Sequence, residues 1–186
     1  ATEGRIETHG EFADWRGEDP LLTLTDQGIK PHEGSDMVKF PVTVSSSGNL
    51  AESTEILRVI DVRSLGDEIS KRKVTARSSA HFNQAAGPAD DGTSYALRMH
   101  AIAREDGENR ALGREVAQLV ADTDPVTWER ADGEINLPAG TDYLVVSVSV
   151  RKEGGPQVFL TSIGGSYADA VNVSMEVDGR PVYGRL

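Results

Sequence analysis

Apolar and polar residues alternate in short runs along the chain, and clusters of Gly, Pro, Asp and Asn separate the runs. Ala76, Ser78, Ala80 and Phe82 alternate with polar residues, and the apolar residues of 144–150 form a second stripe with a period of two. Successive side chains of a strand point to opposite faces of its sheet. One face of each of these strands is therefore predicted to be buried.

Short strands separated by turn residues, about ten of them, are typical of an antiparallel β-sandwich. The predicted strands are 4–9, 37–44, 55–62, 74–82, 94–103, 115–120, 127–137, 143–151, 157–163 and 171–177. The segment 59–71 has helical spacing instead, but Gly66 limits it to about one or two turns. Loops are predicted at 87–92, 104–109, 153–156 and 164–166.

Length and composition predict one globular domain over residues 1–186. The chain is long enough to bury one core and has no long structureless spacer. Apolar residues make up 38% of it, spread evenly, which is typical of a folded chain rather than a disordered one.

Charge narrows the range of partners. The chain has 30 acidic and 19 basic residues, a formal net charge of -11, which argues against nucleic acid and anionic membrane surfaces. Calcium or a basic protein surface fits better. No apolar run approaches the roughly 18 residues of a membrane span, so membrane insertion is not expected.

The absence of cysteine excludes disulfides and favours a bacterial exported protein over a eukaryotic secreted one. We therefore expect an extracytoplasmic location: periplasmic, cell-surface or secreted. The chain starts at Ala1 without an apolar leader, so a removed signal or anchor and a cytosolic location both stay open.

Four segments resemble a known group of domains when taken in order. They are GEF with the following Trp15 (10–15), PHEGSDMVKF (31–40), the stretch from Trp128 through LPAGT (137–141) to residue 150, and YADAV (167–171). They are similar to carbohydrate-binding-module-like and galactose-binding-like jelly rolls of bacterial exported proteins, some of them FecR-like or cell-surface proteins. The resemblance implies an all-β, antiparallel two-sheet jelly-roll sandwich of about ten strands.

The resemblance also implies a structural Ca²⁺ at one edge of the sandwich. Its ligands would be Glu11 and Asp169 with a backbone carbonyl near Met37, and Asp36 is a further candidate. Calcium favours such oxygen donors. In the family the glutamate follows the phenylalanine, whereas Glu11 precedes Phe12, and a shift of one residue reverses the side chain. The alternative is that Asp169 hydrogen-bonds the backbone where its strand begins.

The residues themselves predict one polar ligand groove. If His81 and His100 face each other across paired strands, alternation places them on an outward face with Asn83 and Arg98. The alternative is an ordinary solvated sheet face. Trp128 is predicted to lie in the core, and for Trp15 core and surface both stay open.

No catalytic residue is predicted. Ser70 and Lys73 match a Ser-x-x-Lys pattern without any companion motif, and no carboxylate pair stands out for glycan cleavage. The first hypothesis is a non-catalytic extracytoplasmic binding or adhesion module for a glycan or protein of the cell envelope. The second is a structural or protein–protein assembly domain of the envelope without a small-molecule ligand. An enzyme that cleaves or modifies glycans is a third.

Overall fold

The computed structural model describes residues 5–7, 16–17, 21–41, 53–86, 93–152 and 165–182. The strands in these ranges are β1 (Arg5–Glu7), β2 (Arg16–Gly17), β3 (Leu21–Thr23), β4 (Met37–Lys39), β5 (Ser53–Asp61), β6 (Val74–Gln84), β7 (Thr93–Glu105), β8 (Glu108–Leu119), β9 (Glu129–Asn136), β10 (Tyr143–Lys152), β11 (Ser166–Val177) and β12 (Arg180–Pro181). A 3-10 turn (Arg63–Leu65) leads into one short helix, α1 (Gly66–Ser70).

The strands form two sheets, and every pairing among the described residues is antiparallel. The five-stranded sheet has the order β2-β5-β10-β7-β8. The seven-stranded sheet has the order β3-β4-β11-β6-β9, with β1 and β12 also paired to β11. The predicted two-sheet antiparallel sandwich is confirmed.

The core lies between the sheets and is built from the predicted stripes. Ala76, Ala80 and Phe82 of β6 are fully buried, and so are the four apolar residues at 144, 146, 148 and 150 of β10. They belong to one continuous cluster with side chains from β5, β7 and β11. Since the alternate residues of these strands point outward, the inner stripes determine which side chains are available on the two outer faces.

The β7–β8 hairpin differs from the predicted loop at 104–109. A two-residue turn, Asp106 and Gly107, has positive φ angles of 51° and 87° and lets the strands continue up to it. β8 accordingly begins at Glu108 rather than at residue 115. As an edge strand, β8 is solvated along much of its length, so it lacks the alternation that marks a strand in sequence.

The predicted helix is shorter than its segment. Residues 59–61 belong to β5, and only Gly66–Ser70 are α-helical. Val62 and Ile69 are buried, as their spacing predicts. None of the described helices has the length and apolarity needed to cross a membrane.

A bulge interrupts β11. Its register against β6 shifts between Asp169 and Asn172, and Ala170 has a φ of 48°. The strand begins at Ser166, earlier than the predicted residue 171. The predicted strand at 157–163 and the predicted loops at 87–92 and 153–156 lie outside the described residues.

Candidate functional site

The predicted groove residues lie on two different sheets. His81 and Asn83 are on β6 in the seven-stranded sheet, whereas Arg98 and His100 are on β7 in the five-stranded sheet. The prediction that His81 and His100 face each other across paired strands is therefore wrong. Consecutive strands of a sandwich often belong to opposite sheets, and their outward faces then point in opposite directions.

Asn83 has a structural role. Its side chain is 0% exposed, Nδ2 donates to the carbonyl of Pro125 at 3.2 Å, and Oδ1 accepts the N–H of Gln84 at 2.6 Å. Buried and bonded in this way, it is not available to a ligand. His81 stacks on the exposed ring of His32, with 3.9 Å between ring centroids.

Trp128 lies beside this histidine pair. It packs against a small core of Ile29, Met37 and Tyr167, and its indole N–H donates to the carbonyl of Lys30 at 3.2 Å. Trp128 is therefore only partly buried, at the edge of this small core, where the sequence predicted a core position. Trp15 lies outside the described residues.

Asp169 caps a backbone turn. Oδ2 accepts the N–H groups of His32 at 2.7 Å and Glu33 at 3.1 Å, and Oδ1 accepts the N–H of Ala170 at 2.7 Å. The residue is 3% exposed, and its burial raises the pKa of the carboxyl above the ordinary value despite these three donors. The carboxylate thus ties the 31–36 turn to β11.

The described residues alone do not form a calcium site. No three His, Cys, Asp or Glu side chains within the described ranges are grouped so that they would hold a metal ion. Three N–H donors already occupy Asp169, and Asp36 accepts the hydroxyl of Ser35 at 2.6 Å. Calcium takes about six to eight oxygen ligands. Glu11 lies outside the described residues, so the calcium site stays a prediction.

The outer face of the five-stranded sheet holds a groove of about 360 Å³. Its floor is apolar and made by Val59, Ile102 and Val145 together with the ring of Tyr143, while Arg104 and Asn109 line one end. The guanidinium of Arg63 lies 5.4 Å from the centre of the Tyr143 ring. An aromatic ring beside aliphatic side chains gives a surface on which an apolar ligand face can pack.

Hydrogen-bonding side chains continue this face along the strands. Ser147 donates to Oε1 of Glu55 at 2.6 Å, and the guanidinium of Arg98 lies 3.6 Å from the same oxygen. Arg98 also donates to the hydroxyl of Ser149. These residues occupy positions of β5, β10 and β7 that alternate with the core stripes, so they share the outward face with the groove floor.

His100 joins the two parts of the face. It pairs with Val145 on one side and with Arg114 of β8 on the other. Burial lowers the pKa of His100, and the nearby charges of Arg114 and Arg98 lower it further, against the opposing effect of Glu55. Of the predicted groove residues, Arg98 and His100 are thus brought together on one outward face.

Sequence reasoning missed Tyr143 and Glu55 as candidate site residues. The signal was present, because each alternates with a buried stripe on β5 or β10. What the sequence did not supply was the pairing of β10 between β5 and β7, which assembles this face.

The opposite face carries a polar depression of about 320 Å³ on the seven-stranded sheet. Its charges are paired within the protein: Arg77 contacts Glu134 at 2.7 Å and Glu176 at 2.5 Å, and Arg130 contacts Asp132 at 2.6 Å. The charged side chains of this face are thus held in ion pairs with one another.

No protein-family model matches the sequence, and no curated protein matches it either. Solved structures do. The C-terminal family 22 carbohydrate-binding module of Clostridium thermocellum Xyn10B is 14% identical, with 98% of this chain and 99% of that one covered and a TM-score of 0.56. A family 22 xylan-binding domain, CBM22-2 of Paenibacillus barcinonensis Xyn10C, is 16% identical over 94% of this chain and 98% of that chain, with a TM-score of 0.51.

A larger xylanase fragment also matches. In the Clostridium thermocellum Xyn10B structure that joins a CBM22 module to a GH10 module in complex with xylohexaose, the identity is 15% and the TM-score 0.54. The match covers 92% of this chain but only 29% of that protein. At 14 to 16% identity these likenesses establish a shared fold, the jelly-roll sandwich of carbohydrate-binding modules.

Proposed function

We propose that this chain is a non-catalytic glycan-binding module that binds its ligand on the outer face of the five-stranded sheet. The observation that carries the proposal is the groove floor of Tyr143, Ile102 and Val145 beside the polar pair of Arg98 and Glu55. Glycan chains need both parts, since a sugar ring has apolar C–H faces and a rim of hydroxyl groups.

Each part of the face matches one part of a sugar. The half-buried Tyr143 ring and the aliphatic floor pack against C–H groups, as in ligand sites with few polar contacts. Arg98 donates hydrogen bonds and the Glu55 carboxylate accepts them, whereas Ser147 and Ser149 are buried and hold these two side chains in place. The fold shared with xylan-binding modules supports the same choice.

The proposal includes a location outside the bacterial cytoplasm. It is supported by the absence of cysteine and by the acidic composition, which suits a solvated module better than a membrane-surface or nucleic-acid partner. The bound glycan would belong to the cell envelope or to material outside the cell.

The direct test is calorimetric titration of the purified chain with xylohexaose, repeated with neutral polysaccharides in affinity gels. Tyr143→Ala removes the aromatic floor and is expected to weaken binding about five- to tenfold. Arg130→Ala on the opposite face is the matched control and should bind like wild type. Circular dichroism of each variant checks that the fold is retained.

Equal affinity of the Tyr143→Ala and wild-type proteins would place the ligand elsewhere and reject this face. If no neutral or acidic glycan binds the wild type, the glycan-binding proposal itself fails, and the assembly-domain hypothesis becomes the better account.

A further inference from the structure

The groove face has a charge balance opposite to that of the whole chain. The chain carries a net charge of -11. On or beside the outer face of the five-stranded sheet, the described cations outnumber the described carboxylates. The cations are Arg63, Arg98, Arg104, Arg114 and Arg151, and the carboxylates are Glu55, Asp61 and Asp142.

Two of the carboxylates are compensated locally. Asp61 accepts a hydrogen bond from Nε of Arg63 at 2.9 Å, and Glu55 lies 3.6 Å from Arg98. Asp142 accepts the backbone N–H of Arg104 at 2.7 Å. The guanidinium groups of Arg104 and Arg114, in contrast, form no ion pair with any described residue.

Arg114 lies on β8, two strands from Val145 of the groove floor, and is not itself among the residues that line the groove. The cross-strand order in this row is Val145, His100 and Arg114. Neighbouring strands are about 4.8 Å apart, so Arg114 starts about 10 Å from the floor residue Val145, and its long side chain shortens that distance. A ring substituent of a sugar lying on the floor comes within its reach.

An anion at this position would also favour protonation of His100, the cross-strand neighbour of Arg114. Burial lowers the pKa of His100, and the positive charges of Arg114 and Arg98 lower it further. A carboxylate between Arg114 and His100 would meet one permanent cation and one side chain that can become a second.

We infer that the groove prefers an acidic glycan, one that carries uronic acid residues, and that Arg114 binds the sugar carboxylate while Arg104 attracts the chain at the other end. The inference rests on the proposed glycan-binding function of the same face. It adds the ligand class to that function, because a carboxylate, unlike a hydroxyl, can form an ion pair with the guanidinium groups of Arg104 and Arg114, which form none with any described residue.

The test compares glucuronoxylan with the same polymer after its carboxyl groups have been reduced to alcohols. Affinity gels give the ratio of the two affinities for wild type, Arg114→Gln, Arg114→Lys and the matched control Arg130→Gln. Wild type is expected to prefer the acidic polymer at about 20 mM salt, and the preference should shrink at about 500 mM salt because the charges are exposed and screened.

Arg114→Gln is expected to lower the acidic-to-neutral ratio about two- to fivefold, the range for an exposed ion pair. Arg114→Lys should keep most of the ratio, since it keeps the charge, and Arg130→Gln should leave it unchanged. Poly-L-glutamate, an acidic polymer without sugar rings, should bind far more weakly than glucuronoxylan.

The possible failures are separable. Equal binding of both polymers by wild type overturns the acidic preference and leaves the glycan-binding function standing. The assigned role of Arg114 is overturned if Arg114→Gln keeps the wild-type ratio. Binding of poly-L-glutamate as strong as that of glucuronoxylan would mean general anion attraction and would overturn the inference. Binding of neither polymer by any protein rejects the proposed function together with it.

Discussion

At the scale of single residues, Asp169 illustrates a carboxylate satisfied by the backbone. Asp169→Ala would leave the N–H groups of His32, Glu33 and Ala170 without their acceptor in a poorly solvated place. A buried donor left unpaired costs about 1–3 kcal/mol. We expect the free energy of unfolding to fall by about 2–4 kcal/mol, measured by urea denaturation with tryptophan fluorescence.

Asp132→Ala is the matched control, because Asp132 is an exposed aspartate on the same sheet whose ion pair among the described residues is with Arg130. Its loss should stay below about 1 kcal/mol. Similar losses for the two variants would contradict the capping role of Asp169.

Calcium gives a second prediction at the same residue. If Glu11 and Asp169 bind the ion, millimolar calcium should raise the thermal midpoint of the wild type above its value in EDTA, because a ligand that binds only the folded state stabilises it. Asp169→Ala should lose that rise. The same calcium response in both proteins would remove Asp169 from the ligands, and no response in either would reject the site.

The role of Asp169 was partly predictable from sequence. Its place at the start of a closing strand indicated either a metal ligand or a backbone partner, and the structure shows the backbone contacts. Two of the three donors, His32 and Glu33, come from more than 130 positions earlier in the chain. Local pattern contains no information on such a distant contact.

At the scale of elements, the β7–β8 hairpin depends on its turn. Gly107 has a φ of 87°, and no other atom lies within 4 Å of the position that an alanine methyl group would take, so Gly107→Ala adds strain rather than a clash. A left-handed conformation costs an L-residue about 1–2 kcal/mol. We expect a loss of that size in the free energy of unfolding, measured by urea denaturation.

Gly66→Ala is the opposite control. Gly66 has a φ of -56° at the start of α1 and equally open surroundings. Alanine is better than glycine by about 0.5–1 kcal/mol in a helix, so this variant should gain stability. If both variants shift stability in the same direction, backbone conformation is not what distinguishes the two glycines.

Central and edge strands differed in how well the sequence predicted them. β6 and β10 lie between two neighbours and against the core, so strict alternation marks them. β8 has a solvated edge and no such pattern, and only residues 115–120 of it were predicted. Apolar and polar residues alternate in a strand with one buried face, and the alternation is weak in a strand whose two faces are both exposed to solvent.

At the scale of the whole molecule, sequence predicted the sandwich but not the assignment of strands to sheets. β6 and β7 follow each other in the chain yet belong to opposite sheets, which separates His81 from His100. Strand pairing in a jelly roll is set by contacts distant in sequence. The proposed ligand face is formed by the pairing of β5, β10, β7 and β8, which local sequence patterns do not specify.

The two separated histidines make one prediction for the whole domain. Burial lowers the pKa of His81, helped by His32 and Arg130, and burial lowers that of His100, helped by Arg114 and Arg98. As pH falls, the unfolded chain, whose histidines have the ordinary pKa of 6.5, binds protons before the folded chain does. The stability that comes from two neutral rings is therefore fully present above pH 6.5 and is lost as pH falls through the lower folded pKa values. The free energy of unfolding should fall as the pH drops below about 6.5.

Carboxylates with a lowered pKa, such as Asp61 at about 2, change the stability only at more acidic pH. The stability that they contribute is lost only as pH falls below the ordinary value of 3.8. The raised pKa of Asp169 has the opposite effect on stability. As pH falls, the folded chain binds this proton before the unfolded chain does, so the free energy of unfolding rises.

Comparing wild type with His81→Gln/His100→Gln isolates the contribution of the two histidines. Urea denaturation at several pH values should show that the free energy of unfolding depends less steeply on pH in the double variant than in the wild type. The two slopes should differ by less than about 1.4 kcal/mol per pH unit for each histidine. Identical slopes would mean that neither ring resists protonation in the folded domain.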